Sequence, residues 1–364
     1  MASPDPSALD QSALDQSALD AIARAVGERG ECNVVLRPFT TFRIGGPADL
    51  LVRAQTIADL ERLRTALDDV GSAAAEIDLL VIGQGSNLLV SDDGFRGVVI
   101  MLSGEFEEIT IHDGAPDGDP VVVSAGGAVK LPVLARRTVA AGLHGLEWMV
   151  GVPGSVGGAV RMNAGGHGAD VRANLRAASL FALRGDAPGL REVDGDALEL
   201  RYRSSAVRSD EIVIGASFRV ATDHGPGDAS AATGEAELRE IVRWRREHQP
   251  GGANCGSVFT NPPGDSAGRL IDAAGLKGFR RGTASVSEKH ANFIQADDGG
   301  SAADVLALIG DIRRRVLDTF GIDLHPEVRT AGFGPETPPD PRPDPRPDPR
   351  PDPRPDVPSP GAST

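Results

Sequence analysis

The sequence predicts an α+β protein with more than one domain, and three observations carry that reading. The chain has 364 residues, room for two or three domains at roughly 150 residues each. Short strand-like apolar runs are interspersed with segments of helical period. A polar stretch, ATDHGPGDASAATG (Ala221–Gly234), divides the chain near residue 230 and reads as a linker. In order, residues 7–20 (SALDQSALDQSALD) form a five-residue repeat with too little apolar surface for a core, read as a frayed or disordered tail. Asp49–Ala54 reads as a strand and Ile57–Val70 as a helix; Leu79–Gly83 is a strand entering a glycine-rich turn. Gly97–Leu102 and Val121–Ala125 are strands, Leu131–Ala141 a helix, and residues 179–184 and 212–220 strands again. Helices follow at Glu235–His248, Ala267–Ala274 and Ala302–Phe320. From Pro338 to Asp356 proline recurs at almost every second position, which removes amide donors and leaves an extended, solvated tail.

Composition narrows the function. The formal net charge is −15, and among the basic residues only Lys130, Lys277 and Lys289 are lysines. No basic cluster is long enough to follow a phosphate backbone, so nucleic acid is a poor partner. No apolar run approaches the ~20 residues that span a bilayer, and the N-terminus lacks the basic and apolar regions of a signal peptide. Cys32 and Cys255 cannot make a disulfide framework. A soluble, cytoplasmic protein is expected, with a monomer favoured.

Three glycine clusters stand out: Thr41–Ala48 (TFRIGGPA), Gly83–Asn87 (GQGSN) and Gly151–Ala159 (GVPGSVGGA), the last running on to Asn163–Gly166. Glycines let backbone amides converge on an anion, and Ser or Asn side chains add donors. Such loops could wrap a dinucleotide pyrophosphate, or be tight turns only. GQGSN is not a G-x-G-x-x-G fingerprint and no G-x-x-x-x-G-K-[ST] loop occurs, so any dinucleotide fold here is a different one. Three further segments hold reactive groups: Arg201–Ser205 (RYRSS) with the sole tyrosine, Tyr202; Asn254–Pro262 (NCGSVFTNP) with Ser257; and His325–Arg329 (HPEVR) with Glu327. An Arg, a Ser and a Glu brought together can bind a carboxylate and protonate a developing carbanion. No G-x-S-x-G elbow supports a hydrolase. The seven histidines show no H-E-x-x-H spacing, so no metal is expected. Cys255 reads as a small packed cysteine rather than a nucleophile.

Taken in order, the segments TTFRIGGPADLLV, VIGQGSNLLVSDDGFRGVVI, GLHGLEWMVGVPGSVGGAVRMNAGGHGAD, RYRSS, CGSVFTNPPG, SAGRLIDAAGLKGFRRGTASVSEKHANFIQ and HPEVR closely resemble the UDP-N-acetylenolpyruvoylglucosamine reductase family, from about Val35 to Phe333. The resemblance implies an α+β fold with a two-subdomain FAD-binding region of the vanillyl-alcohol-oxidase type and a C-terminal α+β substrate domain. Domains are expected at 21–93, 94–222 and 235–333, between a tail over 1–20 and a disordered one over 334–364. It implies non-covalent FAD, NADPH as hydride donor, UDP-N-acetylglucosamine enolpyruvate as substrate, and a place in peptidoglycan precursor synthesis, hence in cell shape and division.

The family's site residues carry over onto Arg203 of its Y-R-x-S motif, Ser257 of G-S-x-F as proton donor, and Glu327 of P-E-V-R. Gly83, Gly85, Ser86 and Asn87 fall where the family holds the FAD pyrophosphate. Gly151, Gly154, Ser155, Gly158 and Ala159 fall along the ribityl chain and flavin, with Arg43 and Gly45 also at the cofactor. The chain resembles the family's second class, because the only tyrosine sits in RYRSS and none remains for a substrate-covering loop. Thr260 stands where the first class has a lysine, so Tyr202, Asn261, His290 and Arg329 are the candidates for holding the UDP-sugar. Two competing readings are a related flavin oxidase with a covalent cofactor and a flavin- or nucleotide-binding regulatory protein without chemistry.

Overall fold

A computed structural model describes residues 6–112, 121–185, 187–222 and 227–334. The first helix, α1 (Pro6–Val26), contains the whole five-residue repeat. Its C-terminal half carries Ala18, Leu19, Ile22 and Val26 into a core shared with α2 (Ile57–Asp69). The boundary expected at residue 20 therefore falls inside a packed helix: apolar residues too sparse for a core of their own complete a neighbour's. The start of α2 is written in the sequence. Thr56 Oγ1 accepts from the Asp59 amide (3.3 Å), and Asp59 accepts from the Thr56 amide (3.1 Å), a capping box.

Behind these helices lies a four-stranded sheet of β1 (Gly30–Val35), β2 (Pro47–Ala54), β3 (Leu79–Val81) and β5 (Phe95–Leu102), in the order β1-β2-β5-β3. The short β4 (Leu88–Val90) leaves it to pair elsewhere. Because β5 is an inner strand of this sheet, parallel to both β2 and β3, the first unit runs through Leu102 and not to residue 93.

The second sheet has β6 (Ile109–His112), β7 (Val121–Gly126), the two-residue β8 (Leu143–His144), β11 (Leu175–Ala182), β12 (Gly189–Asp194) and β13 (Glu211–Thr222). Its order is β12-β11-β13-β7-β6, all antiparallel, with β8 beside β13. The small hairpin β9 (Gly165–Gly166) and β10 (Ala169–Asp170) stands apart. α3 (Leu131–Ala140), α4 (Val156–Arg161) and α5 (Val171–Asn174) join this region, as does α6 (Gly227–His248), whose Leu238 and Ile241 lie in its core. Helix α6 begins at Gly227, inside the expected 221–234 linker.

The C-terminal unit packs α7 (Ala267–Ala273) and α8 (Ala302–Phe320) around a three-stranded sheet of β14 (Arg280–Arg281), β15 (Ala284–Val286) and β16 (Ile294–Ala296). Two features seat it on the first unit. Strand β17 (Arg329–Ala331) pairs parallel to β4, with Arg329 opposite Leu88. Phe42, Ile44 and Leu89 of the first unit are buried in the C-terminal core. The expected tail over 334–364 lies outside the described residues beyond Gly334. Among the described residues, no helix is long and apolar enough to cross a membrane.

Candidate active site

The glycine clusters meet. Thr41 donates its amide to the Gly85 carbonyl (3.1 Å), and Ser86 Oγ donates to the Pro153 carbonyl (3.1 Å). At Gly85 φ is +56°, and a Cβ there would collide with the Phe39 carbonyl oxygen. Only glycine fits both the left-handed backbone and the close approach. Gly83 sits directly against Ser155 Oγ and Gly154 against Ser86 Oγ, so the second and third clusters form one surface. None of the amides from Gly83 to Asn87, nor those of Gly154 and Ser155, donates to an acceptor among the described residues. A row of unpaired donors on adjoining loops suits a phosphate, and the donor set fits a dinucleotide cofactor. Gly158 and Ala159 follow in α4. Arg43 is exposed, with φ +57°. Gly45 and Gly151 have packing reasons of their own: a Cβ at Gly45 would press on Val90, and one at Gly151 on the His167 ring.

Arg203 and Glu327 come together from the second and third units. Arg203 Nε lies 2.5 Å from Glu327 Oε1. The oxygen sits off the N–H direction, leaving the contact an ion pair without an aligned hydrogen bond. Arg203 occupies a tight turn in which Arg201 and Ser204 exchange backbone bonds (3.0 and 3.1 Å). Its φ of +54° is unusual for a side-chain-bearing residue, and its guanidinium lies 5.3 Å from the Tyr202 ring centre, within cation–π range.

Glu327 is fixed by its backbone. Its amide donates to the Val258 carbonyl (2.7 Å), and its carbonyl accepts from Asn87 Nδ2 (3.0 Å). Burial opposes the charge on both partners, with opposite outcomes. Burial pushes the Glu327 carboxyl up from its ordinary value, and Arg203 and Arg329 only partly offset this. For Arg203, burial would lower the pKa, but Glu327, Tyr202 and Asp170 outweigh it and hold the guanidinium protonated.

Ser257 lies between Cys255, whose buried thiol is pushed up by burial and by Glu327, and Val258, whose carbonyl holds Glu327. The Ser257 hydroxyl is half-buried and has no hydrogen-bond partner among the described residues. The strained-up thiol pKa leaves Cys255 unfit as a thiolate nucleophile.

The remaining expected contacts divide. Arg329 donates to Met162 Sδ (3.5 Å) and its amide to the Asn87 carbonyl (3.0 Å), and its charge reaches Glu327. His290 Nδ1 accepts from the Asn292 amide (3.2 Å), and its ring meets Phe293 edge-on. Asn261 Oδ1 accepts from the Ala267 amide (3.0 Å) at the start of α7, an oxygen committed to the fold. Asn87, expected at the pyrophosphate, commits one side-chain N–H to the Glu327 carbonyl, while its second side-chain N–H and its backbone N–H have no acceptor among the described residues. Sequence reasoning missed two buried asparagines. Asn292 exchanges bonds with both Phe259 backbone groups (2.9 and 2.8 Å), bracing the segment that carries Ser257. Asn163 braces the turn that carries Arg203. Both lie in segments quoted for the resemblance, and a buried amide facing a turn leaves no signal in spacing.

Two family models match the chain: an FAD binding domain over residues 48–185 and the C-terminal domain of UDP-N-acetylenolpyruvoylglucosamine reductase over residues 248–331. The UDP-N-acetylenolpyruvoylglucosamine reductase of Heliobacterium modesticaldum is 43% identical over 295 residues, covering 80% of this chain and 88% of that protein. The enzyme of that name from Paramagnetospirillum magneticum is 42% identical over 298 residues, covering 82% and 90%. This chain belongs to the UDP-N-acetylenolpyruvoylglucosamine reductase family. The solved UDP-N-acetylenolpyruvylglucosamine reductase of Thermus caldophilus has the same fold, with a TM-score of 0.66 at 34% identity over 82% of this chain and 97% of that one. The family is one of FAD oxidoreductases, and the α+β class expected from the sequence, an FAD-binding region followed by a separate C-terminal domain, is the one found.

Proposed function

We propose that the cleft between the Gly83–Asn87 loop, the Gly154–Ala159 segment and the Arg203–Glu327 pair is the site where UDP-N-acetylglucosamine enolpyruvate is reduced to UDP-N-acetylmuramate for peptidoglycan synthesis. The observation that carries it is the position of Asn87. One residue ends the row of unpaired amides and also binds the backbone of Glu327, so the charged pair stands at the edge of the dinucleotide cradle. Gly83, Gly85, Ser86, Gly154, Ser155, Gly158 and Ala159 are the residues that would hold FAD, with Arg43, Gly45 and Gly151 behind them. When bound, FAD supplies a non-covalent relay of hydride from NADPH to the enolpyruvyl double bond.

The chain's own residues supply the rest. Arg203, always protonated, grips the substrate carboxylate with its planar fork. Glu327, paired with Arg203 and with its carboxyl pushed up from the ordinary value by burial, stands beside it and helps to polarise the substrate carboxylate. Hydride arriving at the terminal carbon leaves an electron pair shared between the adjacent carbon and the carboxylate, where Arg203 and Glu327 stabilise it. Ser257 gives that carbon its proton, and water restores the hydroxyl. Tyr202, Asn261, His290 and Arg329 face the UDP-sugar. The reaction consumes a nucleotide sugar and NADPH, both cytoplasmic metabolites, and we place the protein there, acting as a monomer in the supply of wall precursor for cell shape and division.

Ser257→Ala tests the assignment by separated half-reactions. Reduction of the flavin by NADPH should stay near wild type, while reoxidation by the enolpyruvyl sugar slows by about 10² or more. Equal loss in both half-reactions, or in neither, removes Ser257 from the proton-donor role.

A further inference from the structure

We propose that Asn163, with the short segment Arg161–Asn163 around it, is the positioning element that sets Arg203 against Glu327. This rests on the reading of Arg203 as the substrate-carboxylate residue. Asn163 is 2% exposed and takes a left-handed φ of +40°. Its amide is fully engaged. Nδ2 donates to Asp170 Oδ2 (3.2 Å) and to the Arg201 carbonyl (3.2 Å), and Oδ1 accepts from the Arg172 amide (3.0 Å).

The Arg201 carbonyl thus receives two donors, Asn163 and the Ser204 amide, which closes the turn containing Arg203. A second staple runs from the same segment: Ser205 Oγ donates to the Arg161 carbonyl (2.7 Å). Between the two staples lies Met162, whose sulfur receives the Arg329 guanidinium (3.5 Å). Three consecutive residues therefore hold the Arg203 turn on one side and the segment of Glu327 and Arg329 on the other. They fix the distance across which the ion pair forms. A non-glycine residue at positive φ persists only where its surroundings over-determine it, and for Arg203 these staples do so.

The test uses the holoenzyme and separates the half-reactions. Asn163→Ala should slow flavin reoxidation by the enolpyruvyl sugar about 10-fold or more, since a small misplacement of a positioning group costs that much. Flavin content and reduction by NADPH should stay within about twofold. Ser205→Ala, which cuts the other staple without touching the buried amide, should slow the same step less, and stands in if Asn163→Ala does not fold. Both effects should vanish in an Arg203→Lys background, because a residue acting through Arg203 has nothing left to position. Loss of flavin, equal slowing of both half-reactions, or full additivity with Arg203→Lys overturns the positioning role. Were Arg203→Lys itself to leave reoxidation unchanged, the reading of Arg203 would fail instead, and the two failures are told apart by that single variant.

Discussion

The two walls of the proposed site are made of different material. The wall proposed for the cofactor is backbone: amides from Gly83 to Asn87 and at Gly154 and Ser155, on loops in which Gly83 faces Ser155 and Gly154 faces Ser86. The opposite wall is side chain: Arg203 and Glu327, each held by a partner far away in sequence, and the unpaired Ser257 hydroxyl beside them. Backbone donors are fixed by the fold, tolerate no Cβ at the contact points and barely change with pH. Charged side chains carry protons, respond to burial and depend on bracing. A substitution in the first wall should act on cofactor binding and stability, and one in the second on a single chemical step.

The largest effect is expected at Gly85, where a positive φ and a blocked Cβ position coincide. Gly27 has a similar φ (+58°) with nothing within 4 Å of its Cβ position, so Gly27→Ala isolates the cost of the left-handed backbone, about 1–2 kcal/mol. Gly85→Ala adds the collision with Phe39 and should cost about 3 kcal/mol or more, with flavin lost on purification. Denaturant melts of both variants and the visible spectrum read this directly. A Gly85→Ala protein with full flavin and the stability of Gly27→Ala would mean the cradle is not built on backbone contact.

Glu327→Gln probes the other wall. Reoxidation of the flavin should slow by about 10², with reduction by NADPH spared. The raised carboxyl pKa also predicts a sign for stability. A carboxyl whose folded pKa lies above its ordinary 4.5 binds its proton more tightly folded than unfolded, so its contribution is present below 4.5 and is lost as pH rises toward the folded value. The stability of wild type minus that of Glu327→Gln should therefore decline as pH rises from 4.5 toward neutrality. A difference that is flat or grows over that range contradicts a Glu327 held toward its neutral form.

The contrast between walls also explains what could be read from the sequence. Helix α8 was expected at Ala302–Phe320 and spans those residues, because Ser301 at its N-cap and Gly321 in the left-handed conformation after it mark both ends locally. The glycine loops were legible for the same reason: a missing Cβ is visible in the letter itself. What escaped was non-local. The partner of the Asn87 amide lies 240 residues away, and β4 and β17 find each other across a similar span. Ala18 and Leu19 looked like tail because the surface that buries them belongs to α2. Strand β1, exposed along most of its length, shows too little alternation to stand out.

The smallest effect is expected where the two units meet outside the cleft. Asp92, just after β4, accepts from Ser301 Oγ (2.6 Å), the Ala302 amide (2.8 Å) and the Ala303 amide (3.1 Å). A carboxylate of the first unit thus caps the helix that carries the C-terminal core, with the favourable end of the helix dipole toward it. Asp92 is exposed, so water can replace part of what is lost, and Ser301 still caps the Asp304 amide (3.4 Å). Asp92→Ala should therefore cost only about 1 kcal/mol, and Asp92→Asn, which keeps one oxygen acceptor, less. Both half-reactions should be nearly unchanged, since β17 and the buried Phe42, Ile44 and Leu89 keep the units docked. A loss of several kcal/mol, or a selective slowing of reoxidation, would show that this exposed cap, and not the buried strand pair, sets the spacing between the walls.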